Sequence, residues 1–332
     1  MLNRAYGCLI GGAIGDAMGM PASFMTPSEI KNTYGKIIDF NKPKEAQVAH
    51  FSLEKGEITD DTEESLIIAS VIIEAGYFKR SLFIDKMKNW AIKNKMLESD
   101  VIGPSTRRFL QGIIECKDID EIGKLGDTNG GAMRVAPLGI FYHGNVKKAV
   151  EEAFVSAKPS HGSKPGAAAT CAIAAAVSQS VEGNTSLKEV MEASIYGAKY
   201  GEEQGFDIPA PSVLDRIILA MNLVDKNQGK SLEDIANILY RHLGASMKSY
   251  ESIPLSLGVF YAAKGDFEKA LINTINLGDD ADTNGSIVAA LCGAFKGTYE
   301  INENWMNYIK NTNNIDLKSI ARNLLIFHSE YR

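Results

Sequence analysis

The chain reads as an all-α protein folded as a single domain over residues 1–332. Three observations predict this. Strand signals are nearly absent: there is no sustained apolar–polar alternation and no Asn-Gly turn between β-branched runs. Apolar residues recur instead at helical spacing along most of the chain. Two segments are so rich in small residues that they suit central helices packed backbone to backbone.

The first of these is the apolar run Ala5 to Ile14, extended by Gly15 and Gly19. Gly7, Gly11, Gly12, Gly15 and Gly19 lie three or four residues apart. Glycine inside a helix costs roughly 1 kcal/mol relative to alanine, a cost that close packing can offset. From about Thr26 to Thr59, mixed Pro, Lys, Asn and charged residues predict the one long loop. A helix opened by Asp61 continues through Leu66, Ile67, Ala69, Ser70, Ile73 and Glu74. Phe83, Met87, Trp90 and Ala91 mark the next. Further helices are expected over roughly 130–142, 146–157, 165–181, 187–200, 212–224, 255–263, 267–276, 283–296 and 316–328. Ser231-x-x-Asp234 starts another, carried on by Ile235, Ile238, Leu239 and His242. Gly166 to Ala176, almost entirely Gly, Ala, Thr and Cys, is the second small-residue helix.

Composition narrows the function classes. A chain of 332 residues can bury a large core, and 45% hydrophobic with 23% charged residues is ordinary for a soluble globular protein. Net charge is −6 without a basic block, so nucleic acid, which needs clustered Lys and Arg, is not an expected partner. Cys8, Cys116, Cys171 and Cys292 form no zinc pattern. Buried free thiols and a reducing cytoplasm are expected. The first apolar run is too short for a membrane span and has no clear cleavage site, so neither a membrane nor a signal peptide is expected.

Two acidic clusters stand out. One is Thr59-Asp60-Asp61-Thr62; the other is Asp279-Asp280-Ala281-Asp282-Thr283. Each opens an apolar, helix-like run. Carboxylates and threonine hydroxyls are hard oxygen donors, so the pair reads as two halves of a Mg²⁺ or Mn²⁺ site. Helix capping is the competing reading, because Asp60-x-x-Glu63 and Asp61-x-x-Glu64 both match capping boxes. One cap needs one acceptor, however, and carboxylates packed this densely repel unless cations neutralise them. From the residues alone, both readings stand.

The stretch Gly126 to Arg134 contains Asp127, Thr128, Asn129, Gly130, Gly131 and Met133. It reads either as a tight turn into a helix or as backbone N–H groups facing a phosphate or sugar. No Lys-Ser/Thr pair follows, so it is not a P-loop. His161 precedes the second small-residue helix, where a structural hydrogen-bonding role is the commoner one. His50, His143, His242 and His328 carry no metal spacing.

Six motifs in order resemble the ADP-ribosylglycohydrolase family over essentially the whole chain. They are Gly11 to Gly19, Thr59 to Thr62, Asp100 to Thr106, Asn129 to Pro137, Ser160-His161, and Gly278 to Thr283. The resemblance implies an all-helical fold with a central cleft holding two Mg²⁺ or Mn²⁺ ions. It maps metal ligands onto Thr59, Asp60, Asp61, Asp280, Asp282 and Thr283. It implies a hydrolase acting at the anomeric carbon of ADP-ribose carried on a protein side chain or small acceptor. Asp61, Asp282 and Asp100 would be catalytic, Asp100 as a base. Asp127, Thr128, Asn129, Gly130, Gly131 and Met133, with His161, would bind substrate.

Two features depart from the family. Ser23 stands about where many members carry a Glu, and Asp127 adds a carboxylate beside an expected phosphate pocket. Both favour, as an alternative, a hydrolase of another ribosyl or nucleoside N-glycoside. A non-catalytic scaffold is the third reading. The expected assembly is a monomer or small homo-oligomer.

Overall fold

The computed structural model describes residues 1–45, 47, 49–99 and 101–328. Among these the regular elements are helices, with only two isolated β-bridges. The all-α expectation therefore holds.

Helix α1 (Leu2–Gly19) runs further than the apolar stretch that announces it. Helix α2 (Pro27–Tyr34) lies inside the expected long loop, which is a correction. Thr26 caps it, with Glu29 returning a bond to the Thr26 backbone, and Pro27 fills its first turn. This capping box outweighs a polar composition that hides the helical period. Helix α3 (Asp60–Ala75) ends on Gly76 in the left-handed conformation, and α4 (Arg80–Lys93) follows. Helices α5 (Pro104–Ile114) and α6 (Ile119–Gly123) fall where no helix was expected.

The expected helix over 130–142 is two short ones, α7 (Gly130–Met133) and α8 (Ala136–Phe141). Pro137 cannot donate to the preceding turn, and Arg134, in the break, turns into the interior. Then come α9 (Val146–His161), α10 (Lys164–Glu182), α11 (Leu187–Gln204), α12 (Val213–Lys226) and α13 (Leu232–Leu243). Helix α14 (Ser249–Ala262) starts six residues before its expected limit and carries Pro254 within it. Helices α15 (Phe267–Ile275), α16 (Ala281–Lys296), α17 (Glu303–Asn313) and α18 (Leu317–His328) complete the chain. No expectation covered α17.

Helices α1 and α16 cross antiparallel at the centre. A Cβ built on Gly7 would lie 2.5 Å from the Gly293 carbonyl oxygen, and one on Gly11 equally close to that of Ala289. Gly15 and Gly19 meet Gly285 and Ala281 nearer still. Any side chain at these four positions would force the backbones apart. Helix α10 is the second central element, buried from Pro165 through Ser178 and packed mainly on α11 and α9. Both small-residue helices are thus central, as expected. No single helix among the described residues is long and apolar enough to cross a membrane.

Candidate active site

The central crossing brings the two acidic clusters together. Asp16, in the last turn of α1, is fully buried and receives the start of α3: its carboxylate accepts from the Thr59 backbone N–H at 3.0 Å. The Thr59 and Thr62 hydroxyls donate to it at 2.8 and 2.5 Å. Gly19, at the end of the same helix, seats the first residue of α16. One helix therefore sets the position of both clusters.

The clusters face each other across a pocket of about 100 Å³. Asp60, Asp61, Asp280, Asp282 and Thr283 line it, joined by Thr128, Asn129, Gly130 and Met133. Thr283 Oγ1 donates to Asp61 Oδ2 at 3.2 Å, across the join. Asn129 Nδ2 donates to Asp280 Oδ2 at 2.5 Å and to Ser252 Oγ at 2.9 Å. The capping alternative explains little of this. Thr59, not Asp60 or Asp61, caps α3, and no side chain caps α16.

Not every expected residue reaches the pocket. Thr59 is held behind it on Asp16. Asp127 is paired with Lys248 at 2.6 Å, so its charge is answered locally. Gly131 packs against His161 and Thr170. His161 is fully buried; its Nε2 lies 3.1 Å from Thr128 Oγ1 and its Nδ1 2.8 Å from Ser160 Oγ. Burial first, then the charges of Arg134 and Arg108, hold His161 well below the ordinary histidine range. It supports Thr128 as a neutral ring. Asp100 lies outside the described residues.

Other residues at or beside the pocket were not among the expected site residues. His50, from the long loop, places Nε2 2.9 Å from Asp282 Oδ2. Phe24, at the mouth, is held at φ 61°, unusual for an aromatic residue. Its backbone N–H donates to the Asp279 carbonyl at 2.5 Å, and Asp279 N–H returns a bond to Met25. Ser23 is buried, and its hydroxyl accepts from Asp282 N–H at 3.4 Å. Val101, Ile102 and Met247 add apolar wall.

Burial, followed by neighbouring carboxylates, pushes Asp60 and Asp61 well above the usual range. Asp280 is raised to about 8 by burial and then by Asp282. Asp16 rises to about 6, burial outweighing its threonine bonds. Asp282 moves the other way. Burial opposes its ionisation, but the bond and charge of His50 hold it below the usual range.

Among the described residues, no three His, Cys, Asp or Glu side chains are already grouped so as to hold a metal ion. The chemistry of the donors nevertheless fits a hard divalent cation. Four carboxylates and a threonine hydroxyl face one pocket, and Asp61 Oδ1 is buried there without a partner. Buried carboxylates at this density need compensating charge.

The fold is all-helical, with an acidic, oxygen-lined pocket at its central crossing. The ADP-ribosylglycohydrolase family model matches residues 1–331, and the chain belongs to that family. It is 29% identical to YegU of Escherichia coli K12, described as uncharacterized, with 98% of each chain covered. It is 24% identical to the ADP-ribosyl-[dinitrogen reductase] glycohydrolase of Rhodospirillum rubrum, covering 92% of this chain and 90% of that one. A solved ADP-ribosylglycohydrolase-related protein complex has the same fold, with a TM-score of 0.69, 21% identity and 98% of both chains covered. Family membership supports a glycohydrolase activity on ADP-ribosyl bonds.

Proposed function

We propose that the chain is a metal-dependent hydrolase. It cleaves the glycosidic bond at the anomeric carbon of ADP-ribose attached to a protein side chain or small acceptor. The observation that carries this is the convergence of both acidic clusters and the Asn129 to Met133 loop on one pocket.

Asp60, Asp61, Asp280, Asp282 and Thr283 would hold two Mg²⁺ or Mn²⁺ ions, with Thr59 keeping the first cluster in place. Such ions supply positive charge that orients a ribose diol and lowers the pKa of water. The chain's own residues do the rest. Asn129, held by Ser252, fixes the Asp280 carboxylate. Asp61 Oδ1, free of any partner, takes a proton from the attacking water. Asp100, next to Val101 in sequence, is the second carboxylate we propose for that role. The water oxygen bonds to the anomeric carbon as the bond to the acceptor breaks; the proton taken up by Asp61 passes to the leaving acceptor and the other stays on the new anomeric hydroxyl. Val101, Ile102, Met133 and Met247 keep bulk water from the reacting face.

The test is release of ADP-ribose from modified arginine, serine and small acceptors with Mg²⁺ or Mn²⁺. Folded protein that releases none from any of them refutes the reading. One observation favours the nucleoside alternative: among the described residues, no Lys or Arg lines the pocket to meet a pyrophosphate. A nucleoside panel separates the two, and tight ADP-ribose binding without nucleoside cleavage removes the alternative.

A further inference from the structure

Several buried side-chain atoms of the described residues have no hydrogen-bond partner, and two of them belong to residues lining the acidic pocket. One is Asp61 Oδ1. The other is Nδ1 of His50, whose side chain is only 2% exposed. A buried polar atom left unpaired costs about 1–3 kcal/mol, so its persistence at a pocket wall points to a ligand.

The rest of His50 is firmly held. Its Nε2 meets Asp282 Oδ2 at 2.9 Å. The other Asp282 oxygen accepts from the Thr283 N–H at 3.0 Å. Gln47 fixes the backbone: its Oε1 accepts from the His50 N–H at 2.9 Å and the Ala49 N–H at 2.6 Å. The Gln47 amide donates in turn to the Met20 and Ser23 carbonyls at 3.0 and 3.1 Å. The loop carrying His50 is thereby fastened to the turn that follows α1. One ring nitrogen sits on a carboxylate while the other has no hydrogen-bond partner. That is how a protein prepares a histidine to bind metal, since the carboxylate sets both tautomer and ring direction.

We propose that His50 Nδ1 is a nitrogen ligand to a divalent cation in this pocket, positioned by Asp282, and that it makes the site select Mn²⁺ over Mg²⁺. The inference rests on the metal-dependent reading above. Mg²⁺ takes oxygen donors and keeps water, whereas an imidazole suits transition metals. Asp282 orients the ring through its bond to Nε2 and keeps its place in the ligand set above.

The experiment is Mn²⁺ titration of the full metal-free chain, read by pulsed electron paramagnetic resonance and by binding affinity. Wild-type protein should show nitrogen hyperfine coupling from a bound imidazole. His50→Ala and His50→Gln should lose it and bind Mn²⁺ at least about tenfold more weakly, with a smaller change for Mg²⁺. His50→Gln retains an N–H to offer Asp282 but no imidazole lone pair, so it separates ligation from loop anchoring. Bound Mn²⁺ without nitrogen coupling, or His50→Gln binding Mn²⁺ like wild type, overturns the assignment. Wild-type protein that binds no Mn²⁺ at all overturns the metal-dependent reading itself, a result distinct from a bound ion lacking nitrogen.

Discussion

Arg134→Met should be among the most damaging single changes in the molecule. Arg134 and Glu64 are both 0% exposed and meet at 2.5 Å. The second guanidinium nitrogen donates to Ser160 Oγ at 2.6 Å, and the group lies 5.2 Å from the centre of the Phe83 ring. Removing one partner of a buried pair strands the other, at a cost of about 3–5 kcal/mol. A domain has only about 5–15 kcal/mol in total. Glu64 already titrates above its ordinary value, because burial outweighs the Arg134 charge. Without Arg134 it rises further. A carboxyl group raised in the folded state keeps a proton that the unfolded chain releases. Stability is then whole below the unfolded pKa and falls as pH climbs through the folded one. The variant's deficit should therefore be larger at about pH 8 than at about pH 5. The Glu64→Leu/Arg134→Met double variant should recover most of the loss, since apolar replacement of a buried pair is often neutral. Denaturant unfolding of all three proteins at both pH values is the assay. A single-variant loss below about 1 kcal/mol, or a double variant no better than the single, would refute the reasoning.

Other expectations follow from the same contacts. Gly19→Ala drives a Cβ into the Ala281 carbonyl and should cost about 1–3 kcal/mol while weakening Mn²⁺ binding. Gly12→Ala, where a Cβ meets only ordinary contacts at 3.6 Å, should be neutral or stabilising by up to about 1 kcal/mol; thermal melts compare the two. Metal-free protein should lose stability as pH rises through about 6 and about 8, the values to which Asp16 and Asp280 are raised, and Mn²⁺ should reverse the loss in melts at about pH 8. Lys248→Met should cost less than about 1 kcal/mol, because the Asp127 pair is partly solvated; chemical denaturation checks it. Asp61→Ala should abolish metal binding by calorimetry, and wild-type affinity in that variant would remove Asp61 from the ligand set.

The fold was legible where helices bury a periodic apolar face. It was missed in the short helices α2, α5 and α17, of 8, 11 and 11 residues, where a period has few turns in which to repeat. The glycines of α1 foretold the crossing because only close backbone approach justifies their spacing. The two acidic clusters were legible because capping cannot use so many carboxylates. His50 was not: it sits in an irregular loop, and its meaning comes from Asp282, which only the folded chain brings near. Asp16 was visible as part of a motif, but its task of holding Thr59 and Thr62 is a tertiary fact. Asp127 shows the reverse. As a sequence it reads as a repulsive charge beside a phosphate site, yet Lys248, far along the chain, answers it.

The placement of the acidic groups explains why the glycine crossing must be so tight. Asp16, Asp60, Asp61, Asp280 and Asp282 are all buried near one another, and His50 is the one Lys, Arg or His side chain paired with any of them among the described residues. Such a cluster pushes its own walls apart whenever the carboxyl groups ionise together. Helix ends joined by flexible side chains would yield to that force. A backbone-to-backbone crossing does not yield easily, because separating α1 from α16 opens voids along the whole contact. The rigid crossing thus keeps the carboxyl groups buried and close together, and burial first, then their mutual charge, raises Asp60, Asp61 and Asp280. A cation bound there as proposed would relieve that repulsion and would bind correspondingly more strongly. Loosening the crossing at Gly19 should therefore weaken metal binding and shrink the pH dependence of the metal-free protein together.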